Sequence, residues 1–328
     1  MTASLSEDTR LLESAAQASL HAPSVFNTQP WRWRITGDSM ELSADPGRQL
    51  ETTDPAGRLL LISCGAALHH ARIALAAAGR ATTVELLPNP GRPALLARVR
   101  LGGEVPPDPE AQRMAAAITR RRTDRRAFGS HAVSEATLTR LRRFVEFEGA
   151  YLHVVPQEQI PMLAISTEQA AGAEHDDPAY REELERWTNR PAWRGDGVPP
   201  ETAVQPALRR VPVRDFTPEG GQAGLTAGAG VDKGAAYVIL FGLTDQPVDL
   251  LRGGEALSAL LLLATAEGLA TAPLSEPVEV AWPRHLLQGL LADVGEPYLV
   301  VRLGYPVAHE PLPAVPRRPA AEAITIDE

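Results

Sequence analysis

The sequence predicts a mixed α+β chain assembled from two related halves. Helix-period and strand-period segments are interleaved without strict β-α-β alternation, which argues against a doubly wound parallel sheet. The chain also matches itself. Setting Gly65 against Gly254, an offset of 189, brings Ala67, Leu68, Ala77, Gly79, Ala81, Thr82 and Pro88 opposite identical residues at 256, 257, 266, 268, 270, 271 and 277 without a gap. Alanine coincidences are common, but paired glycines and a paired proline are harder to dismiss. Arg100-Leu101-Gly102 and Arg302-Leu303-Gly304 then close both copies alike, the second having a longer helix and turn before its last strand.

Taken in order, half one covers 1–105. A helix near 9–21 is capped by Ser6, with Glu7 and Asp8 in the first turn, where carboxylates suit the helix dipole. WRWRIT and MELSA make a hairpin about Gly37-Asp38-Ser39, a helix spans roughly 57–79, and strands lie near 83–87 and 94–101. Half two, 106–328, starts with helices near 109–121 and 134–147, the latter with Leu138, Leu141 and Val145 at helical spacing. The strand YLHVV, helices within 158–189, the strand AAYVILFGL, a helix over 253–268 and the strand PYLVVRLG follow. From Arg190 to Lys233 the pattern breaks into RPAWRGDGVPP, VPVRDF and the glycine-rich EGGQAGLTAGAG. Trp187, Trp193 and Phe216 are costly to leave in water, which favours an ordered lid over 178–216. The whole insertion spans about 178–232, and for 219–232 a disordered linker is an equal reading.

Bulk properties narrow the function. The 328 residues are 44% hydrophobic, enough for a full core, and carry a net charge of −9 with no long basic run. Nucleic acid and anionic membrane surfaces are therefore poor partners. The longest uncharged apolar run, 256–266, is shorter than the ~20 residues that a spanning helix needs. The N-terminus shows no apolar signal segment and Cys64 stands alone, so a soluble cytoplasmic protein without intrachain disulfides is expected. His69-His70 has no acidic or cysteine partner at ligand spacing, so no metal site is expected. Cys64 reads as a small buried hydrophobe. No Gly-x-Gly-x-x-Gly follows a strand, so a Rossmann nucleotide site is not indicated.

Three segments carry polar chemistry. Pro23-Ser24-Val25-Phe26-Asn27-Thr28-Gln29-Pro30-Trp31 is a turn-rich loop dense in side-chain amides and hydroxyls. Arg120 to Arg126 is an arginine run opening half two, and Pro316-Arg317-Arg318-Pro319 lies near the C-terminus. Singly, these read as a structured turn, a solvated helix end and a surface tail.

Together they resemble the nitroreductase-like flavoprotein family, whose chains begin with Arg-Arg-Ser-x-Arg and soon carry Pro-Ser-x-x-Asn-x-Gln-Pro-Trp. Every named position of the second motif is present here. The first matches as Arg121-Arg122-Thr123-Asp124-Arg125, with Thr for Ser, and the family's late Arg-Pro element is similar to Arg317-Arg318-Pro319. Its turn at the flavin edge resembles Ala272-Pro273-Leu274-Ser275, where ordinary members often have Glu at the Ser275 position.

Ordinary members carry both N-terminal motifs in each chain of an interlocked dimer, with flavin at the interface. Half one here has the Asn loop without the arginine motif, and half two has the arginine motif without the Asn loop. These complementary losses are the pattern of a fused dimer keeping one of two sites, as in the duplicated Acg branch of actinobacterial stress proteins. The resemblance implies a nitroreductase-like fold in a monomer that acts as a pseudo-dimer and binds FMN. It places Pro23, Ser24, Asn27, Gln29, Arg121, Thr123, Arg125, Pro273, Leu274, Ser275, Arg317 and Arg318 at the cofactor. Asn27 would meet the ring, Gln29 would brace its loop, and Arg121 or Arg125 would lie near the reducible end. The spacing lets either Arg317 or Arg318 take the phosphate. No side chain is expected to be catalytic, because the flavin carries the chemistry.

Two functions remain open at this point. One is an NAD(P)H-dependent oxidoreductase passing hydride through FMN to a nitro or quinone-like small molecule, with nicotinamide as a transient reductant. The other is an FMN store, whose lid excludes nicotinamide.

Overall fold

The computed structural model describes residues 6–188, 190–217, 223–307 and 310–327. Two separate sheets, each backed by its own long helix, organise the chain. Helix α1 (Glu7–Ser19) is capped as the sequence requires, Thr9 N donating to Ser6 Oγ at 3.1 Å. The hairpin β1 (Trp31–Thr36) and β2 (Ser39–Ala44) follows. Trp31, Trp33 and Ile35 of β1 point inward and Arg32, Arg34 and Thr36 outward, the period-2 alternation of a half-buried strand. Helix α2 (Arg58–Ala77), β3 (Arg80–Leu86) and β4 (Leu95–Glu104) complete this part.

The second part begins with α3 (Pro109–Ile118), α4 (Glu135–Phe147), β5 (Tyr151–Val154) and α5 (Ile160–Asp176). It continues with α6 (Pro178–Thr188), β6 (Ala236–Gly242), α7 (Pro247–Ala266), β7 (Ala270–Leu274) and the short α8 (Glu276–Glu279). Helix α9 (Ala281–Leu290), β8 (Glu296–Gly304), α10 (Ala320–Ala323) and β9 (Ile324–Asp327) close the described chain. One sheet runs β5-β6-β8-β7 and the other β3-β4-β2-β1-β9. The C-terminal strand thus crosses to the first sheet, where it lies parallel to β1. With four residues and no clear alternation, β9 gave no strand signal. The predicted start of α7 at 253 is corrected to Pro247, whose fixed φ suits a first helical turn. Helix α3 stops at Ile118, so the arginine run leaves the helix.

Helices α2 and α7 cross at the two glycines that aligned in sequence. A Cβ on Gly65 would lie 2.0 Å from Leu251 O and 3.0 Å from Gly254 Cα; one on Gly254 would lie 2.0 Å from Ile62 O. Gly65 meets Leu251 while Gly254 meets Ile62, and both Leu251 and Ile62 obey the same offset. Reciprocity of this kind is what a two-fold axis produces. One turn further on, His69 Nδ1 and Ser258 Oγ, 189 residues apart, lie 2.7 Å from each other, and Ser258 Oγ also meets His70 Nδ1 at 2.8 Å. Burial holds both imidazoles well below the ordinary histidine range, so they sit neutral in this contact. Cys64 is buried with its thiol on Pro30 O, and burial pushes its pKa up. By length and composition α2 could cross a membrane, but 78% of its apolar window is packed inside the fold.

The insertion after α5 is built, at least where it is described. Tyr180, Leu184, Trp187, Val198 and Phe216 form a separate apolar cluster with Phe26 and Leu50 of the first half. Glu183 accepts hydrogen bonds from the backbone N–H groups of Thr52 and Thr53. Asp196 pairs with Arg190 at 3.0 Å and with Arg48. Trp193 departs from expectation: it is 77% exposed, with only the Arg194 guanidinium over its ring. Within the glycine-rich stretch, 218–222 lie outside the described residues. Beyond them Asp232 is buried, accepting from Phe128 N at 2.7 Å and pairing with Arg302.

Candidate functional site

The loop from Pro23 to Trp31 holds an unusual backbone. Phe26, Asn27 and Gln29 have φ of 50°, 53° and 50°, a left-handed region that non-glycine residues rarely occupy. Each such residue costs on the order of 1–3 kcal/mol and persists only where its surroundings impose it. Those surroundings are explicit. Gln29 N donates to Ser24 Oγ at 2.9 Å, Gln29 Nε2 donates to Gly195 O at 2.8 Å, and Gln29 Oε1 accepts from Arg318 N at 3.0 Å. Asn27 Nδ2 donates to Gly197 O at 3.1 Å and to Pro316 O at 3.0 Å, while its Oδ1 accepts from Arg317. Gly195 has φ +69°, and a Cβ there would strike Arg317 O at 2.2 Å, so glycine lets the lid lie on the C-terminal segment.

Asn27 is therefore placed differently from expectation. Its amide joins the insertion to the C-terminal segment, while the residue also lines the chamber described next. We expect Asn27→Ala to lower apoprotein stability by about 2–3 kcal/mol, since one of its lost bonds is charge-assisted. Thermal melts of the two proteins check this, and an unchanged melt would remove the bracing role.

Beside Asn27 lies a cationic chamber of about 450 Å³, including its open mouth. Arg121 and Arg317 both line it. Arg121 Nη2 reaches His21 O at 3.4 Å, and Arg317 Nη2 reaches the same carbonyl at 3.1 Å. Arg121 Nε and Nη1 and Arg317 Nε are buried without a partner among the described residues. Burial, with the neighbouring arginines, depresses Arg121 to about 10 and Arg317 to about 9; the charges acting on Arg317 are Arg121 and Arg122. Both cations stay charged at neutral pH, but without an anion beside them among the described residues. Arg318 is turned away. It donates to Gln29 O at 3.0 Å and to Glu322 O at 3.1 Å, fastening the C-terminal segment to the loop.

A second chamber, about 770 Å³ with its mouth, adjoins the first and shares Pro23, Ser24, Phe26, Thr123 and Arg125 with it. Its walls are mainly apolar: Leu59 and Ile62 of α2, Leu257 of α7, and Pro273 and Leu274 at the end of β7. Ser275 closes that strand, and Val213, Arg214 and Phe216 of the insertion supply the remaining wall. Arg125 lies over the Phe216 ring at 4.5 Å and donates to Thr202 O at 3.3 Å. Sequence reasoning missed Arg214 and Glu276 here, because neither belongs to a motif. A slot of this kind, apolar at one end and cationic at the other, suits a flat aromatic body carrying an anionic tail.

No protein-family model matches the chain. A protein of Mycobacterium tuberculosis (strain ATCC 25618 / H37Rv), named "Putative NAD(P)H nitroreductase Rv3131", is 35% identical over 328 residues, covering 97% of this chain and 92% of that one. A second from the same strain, "Putative NAD(P)H nitroreductase acg", is 36% identical over 324 residues, covering 97% and 96%. This chain belongs to their nitroreductase-like family. Among solved structures, the family member is similar to the FMN-dependent nitroreductase NfnB from Mycobacterium smegmatis in complex with NADPH. The identity is 16% and the TM-score 0.43, covering 67% of this chain and 100% of that one. A nitroreductase with bound FMN from Desulfitobacterium hafniense DCB-2 gives 15% and 0.42, covering 66% and 98%.

Proposed function

We propose that the protein is an FMN-binding oxidoreductase that takes reducing equivalents from NAD(P)H and delivers them to a small nitro or quinone-like acceptor. The observation that carries this reading is a pair of buried guanidinium groups, Arg121 and Arg317, at the end of an apolar slot, each keeping N–H groups without a partner and neither paired with a carboxylate among the described residues. A phosphate would supply the anion that this end lacks, with bidentate geometry available from each fork. Pro23-Ser24 and Pro273-Leu274-Ser275 would border the ring, and Thr123 and Arg125 would stand where the two chambers meet. Bound there, the flavin would supply hydride acceptance and release. The chain's own contribution is to neutralise the phosphate, fix the ring between the halves and exclude water with Phe26 and Phe216.

The reciprocal contact of Gly65 and Gly254 supports a fused pseudo-dimer, with half one ending near 105 and one FMN per chain. Against turnover stands one observation: the insertion walls each chamber, Val198 and Thr202 the cationic one and Val213 and Phe216 the apolar one. That arrangement favours the second reading, an FMN store whose lid bars nicotinamide. The two readings part on one experiment. A catalytic protein loaded with FMN bleaches within seconds of anaerobic mixing with NADPH and regains its yellow colour with a quinone. A store keeps its colour. Failure of the protein to bind any FMN would sink both.

A further inference from the structure

A buried group of acids behind one wall of the apolar chamber has no part in the scheme above. Arg214, in that wall, puts its guanidinium 3.4 Å from Glu276, 3.5 Å from Glu174 and 2.6 Å from Glu279. Three carboxylates around one guanidinium exceed the charge that it can balance, so the group favours retained protons. The acids face two different spaces. Glu276 lines the apolar chamber. Glu174 and Glu279 line a separate surface cleft beside Tyr180, and are close enough for one carboxyl to hydrogen-bond the other. Glu276 and Glu279 lie three residues apart on α8, hence on one face of it. Tyr180 Oη and Glu279 Oε1 are both buried without a partner among the described residues, and other parts of both residues line the cleft.

We propose that Glu276 donates the proton consumed when an acceptor is reduced in the apolar chamber, and that Glu279 and Glu174 replace it from solvent through the cleft beside Tyr180. This rests on the flavin reading above. A flavin bound there, in its singly deprotonated reduced form, would supply a quinone-class acceptor with one hydride, that is, two electrons and one proton. The hydroquinone forms only when a second proton reaches the other oxygen: the Glu276 O–H breaks as the new O–H forms. Loss of that hydride would leave the flavin oxidised, and Glu276, left as a carboxylate, regains its proton through Glu279. For a nitro acceptor, the same hydride and proton give the nitroso compound and water.

A dedicated donor has a use here because the walls of this chamber are mainly apolar, Val213 and Phe216 of the insertion included, and offer few other proton sources. The charged groups acting on Glu276 are Arg214, Glu279 and Arg125, with Glu174 of α5 and Tyr180 of α6 grouped around the same guanidinium. Burial outweighs Arg214 and raises Glu276 to about 7 and Glu174 to about 9. A general acid works best with a pKa near the operating pH.

The test compares FMN-loaded parent and Glu276→Gln proteins, reduced anaerobically and mixed with benzoquinone or with hexacyanoferrate(III), which takes electrons without protons. Glu276→Gln should slow the quinone reaction by about 100-fold or more and leave the hexacyanoferrate reaction within about twofold, the range that a lost general acid gives. Glu174→Gln should slow the quinone reaction in the same selective way. In the cofactor-free protein, infrared titration should show a carboxyl that ionises near neutrality and is missing from Glu276→Gln. Equal slowing with both acceptors would mark the cluster as structural and overturn the proposal, as would an unchanged quinone rate. An apoprotein without that titrating carboxyl overturns it independently of flavin. A parent protein that holds no FMN brings down the flavin reading first, and this proposal with it.

Discussion

Gly254→Ala should destabilise the protein by about 3 kcal/mol or more, although alanine is the better helix former by about 1 kcal/mol. The new methyl would lie 2.0 Å from Ile62 O and 2.8 Å from Gly65 Cα. Overpacked cores usually relax by moving side chains, at about 1–3 kcal/mol. Here the obstacle is backbone, so α2 and α7 must separate and open the contact between the halves. Gly65→Ala should behave alike, its Cβ meeting Leu251 O at 2.0 Å. Gly172→Ala in α5 is the control: nothing lies within 4 Å of its Cβ, and it should be neutral or stabilising by up to about 1 kcal/mol. Urea midpoints of the three variants decide the matter. A Gly254→Ala midpoint equal to that of Gly172→Ala would show that the helices have slack at their crossing.

Arg121→Ala combined with Arg317→Ala should abolish measurable FMN retention, each change removing about 1.5–3 kcal/mol of charge-assisted binding. The sum need not be additive, since the two guanidinium groups disfavour each other in the free protein. Relief of that repulsion offsets part of the loss of the Arg317 bonds to Asn27 Oδ1 and His21 O, so the ligand-free double variant should melt only slightly below its parent. Arg318→Ala should do the opposite. Its loss strips partners from Gln29 O and Glu322 O and lowers stability by about 1–3 kcal/mol. FMN titration and apoprotein melts of both proteins separate the roles. Equal flavin loss from Arg317→Ala and Arg318→Ala would mean that the C-terminal segment acts only as a unit.

The helices and most strands were legible because each has a local signature: a cap at Ser6, a Trp-x-Trp-x-Ile alternation, a Gly-Asp turn. The offset of 189 was legible too, and the two glycines that anchor it lie at one helix crossing. Identity matching could not reveal that Ile62 and Leu251, or His69 and Ser258, share the same offset, because those pairs are equivalent in position and not in type. Arg317 and Arg318 look alike in sequence, and only the tertiary path of the segment sends one side chain to each face. Asn27 was assigned by motif, yet its amide is absorbed by carbonyls of Gly197 and Pro316, which sequence distance hides. Glu174 is remote in the chain from Glu276 and Glu279, so no pattern announced their grouping. Trp193 shows the limit of a hydrophobicity argument: Trp187 and Phe216 joined an apolar cluster, and it stayed 77% exposed under the Arg194 guanidinium.

The pairing of β1 with β9 has a consequence for biosynthesis. It joins residues as far apart as Thr36 and Asp327, 291 positions from each other. At about 5–20 residues per second, a ribosome finishes the first sheet's other strands well before its last strand emerges. Until then β1 keeps an open edge, and Arg317, which travels just ahead of β9, cannot reach the loop at Asn27. The cationic chamber is therefore completed only after nearly all of this sequence has been translated, and a chain interrupted before residue 317 would carry most of both sheets yet lack one of the chamber's buried guanidinium groups.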